Sequence, residues 1–112
     1  MHELSITRNI VAIAGEAARG CRVRRVTVEI GRLSGISPDA LSFAFDVAAQ
    51  GSAVEGAMLD IREIEGRARC AACGAEFATA TLLDSCACGS YDLVRIGGEE
   101  LSVKSLDIEE AA

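Results

Sequence analysis

A chain of 112 residues is long enough for one ordinary domain or two very small ones, which excludes a large multidomain enzyme. Half of the residues are apolar, a quarter are charged, and 11 Gly and a single Pro leave no room for a low-complexity or collagenous chain. Seventeen acids against eleven bases give a formal charge of −6, which disfavours nucleic acid and anionic membranes as partners.

In chain order, apolar residues at Ile6, Ile10, Ile13, Ala14 and Ala17 form one stripe of a helix from Leu4 to Arg19, with Gly20 as its stop. Val26, Val28 and Ile30 then alternate with Thr27 and Glu29, the period of a strand with one buried face. Ser37 before Pro38 reads as an N-cap with proline in the first turn, and Leu41, Ala44, Phe45 and Ala48 supply the apolar stripe of a second helix closed by Gly51. A second strand is expected from Met58 to Ile64. Between Arg67 and Gly89 regular periodicity vanishes and four cysteines appear. After Leu93 and Val94, Gly97-Gly98 reads as a hairpin-type turn, and Leu101, Val103, Leu106 and Ile108 mark a last strand. The order predicts an α+β fold: a small mixed sheet of about three strands with two helices, plus an inserted zinc-ribbon-like module. The expected division is a discontinuous domain of residues 1–66 and 96–112 and a metal module of residues 67–95.

Charge is unevenly spread. Residues 1–37 hold six Arg and three Glu, whereas residues 38–112 hold five bases and fourteen acids. Arg22, Arg24 and Arg25 are the one basic cluster, and a strand with a solvated face accounts for them. No apolar run approaches the roughly 18 residues of a membrane span, and Glu16 interrupts the segment Ile10 to Ala18, so the chain is expected to be cytoplasmic. Phe43, Phe45, Phe77 and Tyr91 are all the aromatic mass there is, which leaves a thin core in need of a staple.

The cysteines provide one. Cys70-Ala71-Ala72-Cys73-Gly74 and Cys86-Ala87-Cys88-Gly89 place twelve residues between Cys73 and Cys86, the arrangement that wraps four thiolates around one tetrahedral Zn²⁺. A redox CxxC normally opens a helix, whereas Cys70 follows a strand. With four protein ligands the zinc has no open position and is structural. The second pair has one intervening residue where a zinc knuckle usually has two. Cys21 stands alone and reads as a small loop or core residue.

His2 is the single histidine and follows Met1 directly. A residue-two imidazole can close chelate rings with the α-amine of Met1 and the intervening amide nitrogen, a donor set suited to tetragonal Ni²⁺ or Cu²⁺, and Glu3 adds a carboxylate. Outside these groups there is no nucleophile–base pair and no Gly-rich phosphate loop, so no enzyme is expected.

Taken together, Met1-His2-Glu3-Leu4-Ser5, the stretch Gly31 to Phe45 (GRLSGISPDALSFAF), Glu55 to Ile61 (EGAMLDI), the cysteine module and Gly98 to Leu106 (GEELSVKSL) resemble the HypA/HybF family of nickel metallochaperones. The resemblance implies a protein of [NiFe]-hydrogenase maturation that takes Ni²⁺ through His2, Glu3 and Met1 and holds structural Zn²⁺ through Cys70, Cys73, Cys86 and Cys88. It implies the maturation GTPase HypB and the hydrogenase large-subunit precursor as partners; the chain itself is expected to be a monomer or weak homodimer. The family usually has CxxC in the second pair, and here Ser85 occupies the place of its first cysteine. The alternative from another class is a zinc-ribbon protein-interaction module without an exchangeable metal.

Overall fold

The computed structural model describes residues 3–109. Its elements are α1 (Glu3–Ala18), β1 (Val23–Gly31), α2 (Pro38–Ala49), β2 (Met58–Ile64), β3 (Gly66–Cys70), β4 (Glu76–Thr79), β5 (Leu93–Gly97) and β6 (Leu101–Ile108). They form an α+β fold with two three-stranded sheets, ordered β2-β1-β6 and β4-β3-β5. No helix among the described residues is long and apolar enough to cross a membrane.

Contacts group the chain into two compact units, residues 3–29, 36–62 and 102–109 in the first and residues 30–35 and 63–101 in the second. In the first unit α1 packs against α2. The buried residues of α1 are Thr7, Ile10, Ala14 and Ala18, a stripe rotated from the one read from apolar spacing. Ile13 and Ala17 are exposed, and Ile6 is half-buried. Small side chains at Ala14 and Ala18 let backbones approach where Ile13 would not fit, so close packing rather than maximal hydrophobicity chose the face. Thr7 tolerates burial because its hydroxyl donates to the Leu4 carbonyl at 2.9 Å, one turn back.

The second helix starts where the sequence signal places it. Ser37 is extended (φ −81°, ψ 120°), and its Oγ accepts from the Ala40 N–H at 3.3 Å, while Pro38 occupies the first turn, where a missing N–H costs nothing. Leu41, Phe45 and Ala49 face the core, with Ala44 and Ala48 half-buried at its edge. Full burial of Phe45 or Leu41 stabilises the fold by about 1.5–3 kcal/mol each.

Strand directions follow from the hydrogen bonds at the strand ends. Arg32 N donates to Ile64 O at 2.9 Å, which sets the C-terminal ends of β1 and β2 side by side and makes them parallel, with α2 as the crossover. Gly31 N donates to Glu100 O and Glu109 N to Arg22 O, so β6 runs antiparallel to β1 and the sheet is mixed. As the central strand, β1 buries Val26, Val28 and Ile30 and also Thr27, against the one-faced expectation. Arg25 and Glu29 share Thr27's face and reach across to Asp107 and Lys104 on β6, and their stems shield it.

The Gly97-Gly98 turn does not make the expected hairpin. β5 pairs with β3 and β6 with β1, so the two strands flanking the turn belong to different sheets. β3 and β4 lie in the stretch where no periodicity was expected. They are short, and their fully buried side chains, Ala68 and Cys70 in β3 and Thr79 in β4, give too little apolar contrast to mark a strand.

Candidate metal centre

The second unit carries the four paired cysteines. β3 ends at Cys70, which is buried because alternation along Gly66-Arg67-Ala68-Arg69-Cys70 turns every second residue inward. The chain then makes a tight turn: Gly74 N donates to Cys70 O, and Cys70 N donates to Ala75 O, both at 2.8 Å. A second turn carries the other pair, with Gly89 N donating to Cys86 O at 2.8 Å and Cys86 N to Ser90 O at 2.9 Å. Gly74 and Gly89 lie in the left-handed region (φ 80° and 92°), the backbone that these reversals need.

The sulfurs of Cys70, Cys73, Cys86 and Cys88 all lie within 4.8 Å of one another. The closest approaches cross between the two turns, Cys70 Sγ to Cys88 Sγ at 3.7 Å and Cys73 Sγ to Cys86 Sγ at 3.6 Å. Four sulfurs placed tetrahedrally at about 2.3 Å from a zinc ion are separated by about 3.8 Å, so the cluster has the dimensions of a tetrathiolate metal site. The one-residue spacing of Cys86 and Cys88 is compatible with this convergence. Cys86 is buried beside Cys70, and Cys73 and Cys88 are exposed. Cys21, half-buried after α1, is not in the cluster.

The electrostatics of the group also call for a cation. The Cys73 N–H, donating to sulfur, holds the Cys70 thiol down to about 6 against the opposing effect of burial, with further help from the Ala72 N–H and the neighbouring thiols. At Cys86 the Cys88 N–H likewise favours the thiolate, but burial and the three neighbouring sulfurs push that thiol up to about 12. Four adjacent sulfurs cannot all ionise without a positive charge among them, and a divalent ion supplies it.

Burial adds a second argument. Within residues 63–101 the buried apolar side chains are Ala68, Cys70 and Cys86, two of them cysteines of the cluster. So small a core calls for a cross-link.

A short loop braces the turn that carries Cys86. The Asp84 carboxylate accepts from the Ala80 N–H and the Thr81 hydroxyl, each at 2.8 Å, and Arg95 of β5 donates to the Leu82 carbonyl at 2.7 Å. These donors hold the Asp84 carboxyl below its ordinary range, the Ala80 N–H first. Sequence reading missed this brace, although Thr81-Leu82-Leu83-Asp84 carries the hydroxyl-to-carboxylate spacing of a side-chain-closed turn.

Of the expected nickel ligands, Glu3 opens α1 and is half-buried, and Met1 and His2 lie outside the described residues.

Residues 1–108 match the family profile described as hydrogenase/urease nickel incorporation, metallochaperone, hypA. The chain belongs to the HypA family. It is similar to the hydrogenase maturation factor HypA of Trichormus variabilis, 54% identical over 110 residues covering 98% of this chain and 97% of that one. The HypA of Geobacter metallireducens is 46% identical over 110 residues, covering 97% and 100%. The solution structure of the Ni metallochaperone HypA from Helicobacter pylori superimposes with a TM-score of 0.70 at 28% identity, covering 96% of this chain and 97% of that one. The HypA resemblance read from the residues is therefore borne out, as is the α+β architecture. These relatives are named as maturation factors and a metallochaperone, which are not enzymes.

Proposed function

We propose that this chain is a cytoplasmic nickel metallochaperone that binds Ni²⁺ through His2, Glu3 and the Met1 amine and delivers it for maturation of a [NiFe]-hydrogenase. Zn²⁺ stays bound to Cys70, Cys73, Cys86 and Cys88. The observation that carries the zinc part is the convergence of four sulfurs within 4.8 Å, a closed soft donor set that retains its ion. Membership of a family described by nickel incorporation supports the cargo, and Met1-His2-Glu3 offers the nitrogen and oxygen donors that suit it. When bound, zinc ties the two cysteine turns together. The chain's own thiolates retain it, while His2 and Glu3, with harder and fewer donors, let nickel exchange. Delivery implies partners, the GTPase HypB and the hydrogenase large-subunit precursor.

The test is nickel titration of the protein by calorimetry with zinc measured in parallel. His2→Ala, and separately an N-terminal extension that displaces the Met1 amine, should each abolish the nickel isotherm and leave one zinc per chain. Unchanged nickel binding in both variants would rule out the terminal site, and a folded chain without zinc would rule out the structural role of the cysteines.

A further inference from the structure

The outer face of the second sheet holds an unpaired basic pair. Along β3, Gly66, Ala68 and Cys70 are buried, and Arg67 and Arg69 are exposed. Residues directly opposite in an antiparallel ladder share a face, so Arg69 stands between Glu76 and Val94, and Arg67 between Ala78 and Gly97. Ile96 is the residue left over at the register irregularity beside Arg67. Val94 and Ile96 are 45% and 42% exposed.

Neither guanidinium forms an ion pair or a side-chain hydrogen bond among the described residues, although the chain carries six more acids than bases. Arg67 is flanked by alanine and glycine, and the Glu100 carboxylate on the same side of Gly97 accepts from the Gly98 N–H and forms no ion pair with Arg67. Glu76 faces Arg69 without closing a pair. Two arginines two residues apart on one strand stand about 6.6 Å apart, the separation of alternate side chains in any extended chain.

We infer that this face docks an extended acidic segment of a partner protein, with alternate carboxylates on Arg67 and Arg69. Charge complementarity selects the occupant. On a chain of net charge −6, two exposed arginines without acid partners form a local site that attracts an acidic segment against the overall repulsion. Single-stranded nucleic acid is the less favoured guest because the face offers no ring to stack on. Phe77, the one aromatic residue of this sheet, pairs with Ala68 and so belongs to the opposite side. The inference is independent of the nickel assignment.

The experiment is fluorescence anisotropy with the full chain and a labelled decapeptide alternating Glu and Val. Binding should weaken with salt, and affinity should fall about tenfold or more in Arg67→Glu/Arg69→Glu and in the milder Arg67→Ala/Arg69→Ala pair. Far-UV circular dichroism should be unchanged throughout. Unaltered affinity in the Arg67→Ala/Arg69→Ala protein would overturn the proposal. Equal binding of a Lys–Val decapeptide or of a ten-nucleotide single strand would also do so.

Discussion

Gly98 lies backbone to backbone against Gly66: a Cβ on Gly98 would sit 2.5 Å from the Gly66 Cα. Gly98 also has φ 105°, which side-chain-bearing residues rarely adopt. Around this contact Leu33 N donates to Gly98 O at 2.7 Å, and the Glu100 carboxylate accepts from Gly98 N at 2.6 Å.

Gly98→Ala is therefore expected to destabilise the protein by about 3 kcal/mol or more, since backbone cannot yield as a flexible side chain would. Gly35→Ala is the comparison, also at positive φ (78°) but with open space around it, and it should cost about 1 kcal/mol. Chemical denaturation of the two variants distinguishes steric collision from backbone strain; equal losses would mean that the Gly66 contact has no energetic weight.

Metal removal should act on one unit. The first unit buries Leu41, Phe45, Val26, Val28 and Val54, whereas residues 63–101 bury little beyond the cluster cysteines. Structural zinc sites contribute about 10–16 kcal/mol in zinc-finger peptides. Strong chelation is expected to collapse the amide dispersion of residues 66–97 in a heteronuclear NMR spectrum, with the signals of α1 and α2 persisting. Cys86→Ser should reproduce the effect without a chelator. Retention of a dispersed β3–β5 spectrum in both would show that the sheet stands without the ion.

Asp84 sets an acid limit on the loop before Cys86. Its carboxyl is lowered from 3.8 by hydrogen bonds from the Ala80 N–H and the Thr81 hydroxyl, which favour the ionised form. A lowered native value means that the contribution is full above that ordinary value and is lost as the pH falls below 3.8. Asp84→Asn should therefore be less stable than the wild type at neutral pH, and the gap should narrow as the pH drops below 3.8. Urea midpoints across that range measure it, and a gap independent of pH would assign the loss to shape instead of charge.

What the residues determined by themselves was whatever local spacing encodes. Ser37-Pro38 marked the start of α2 because cap and first-turn chemistry act over three residues, and β2 was legible because Leu59 and Ile61 alternate with Asp60 and Arg62. The paired cysteines announced a four-sulfur cluster, and the family motifs announced HypA. Only the tertiary structure decided that α1 buries Thr7 and Ala18 instead of Ile13, because the helix face is chosen by how closely α2 can approach. It also decided that β3 and β4 exist, that β5 leaves β6 for β3, and that Cys70 meets Cys88 while Cys73 meets Cys86. Those outcomes depend on backbone pairing and close approach between residues distant in sequence, as at Gly66 and Gly98, and no local period records them.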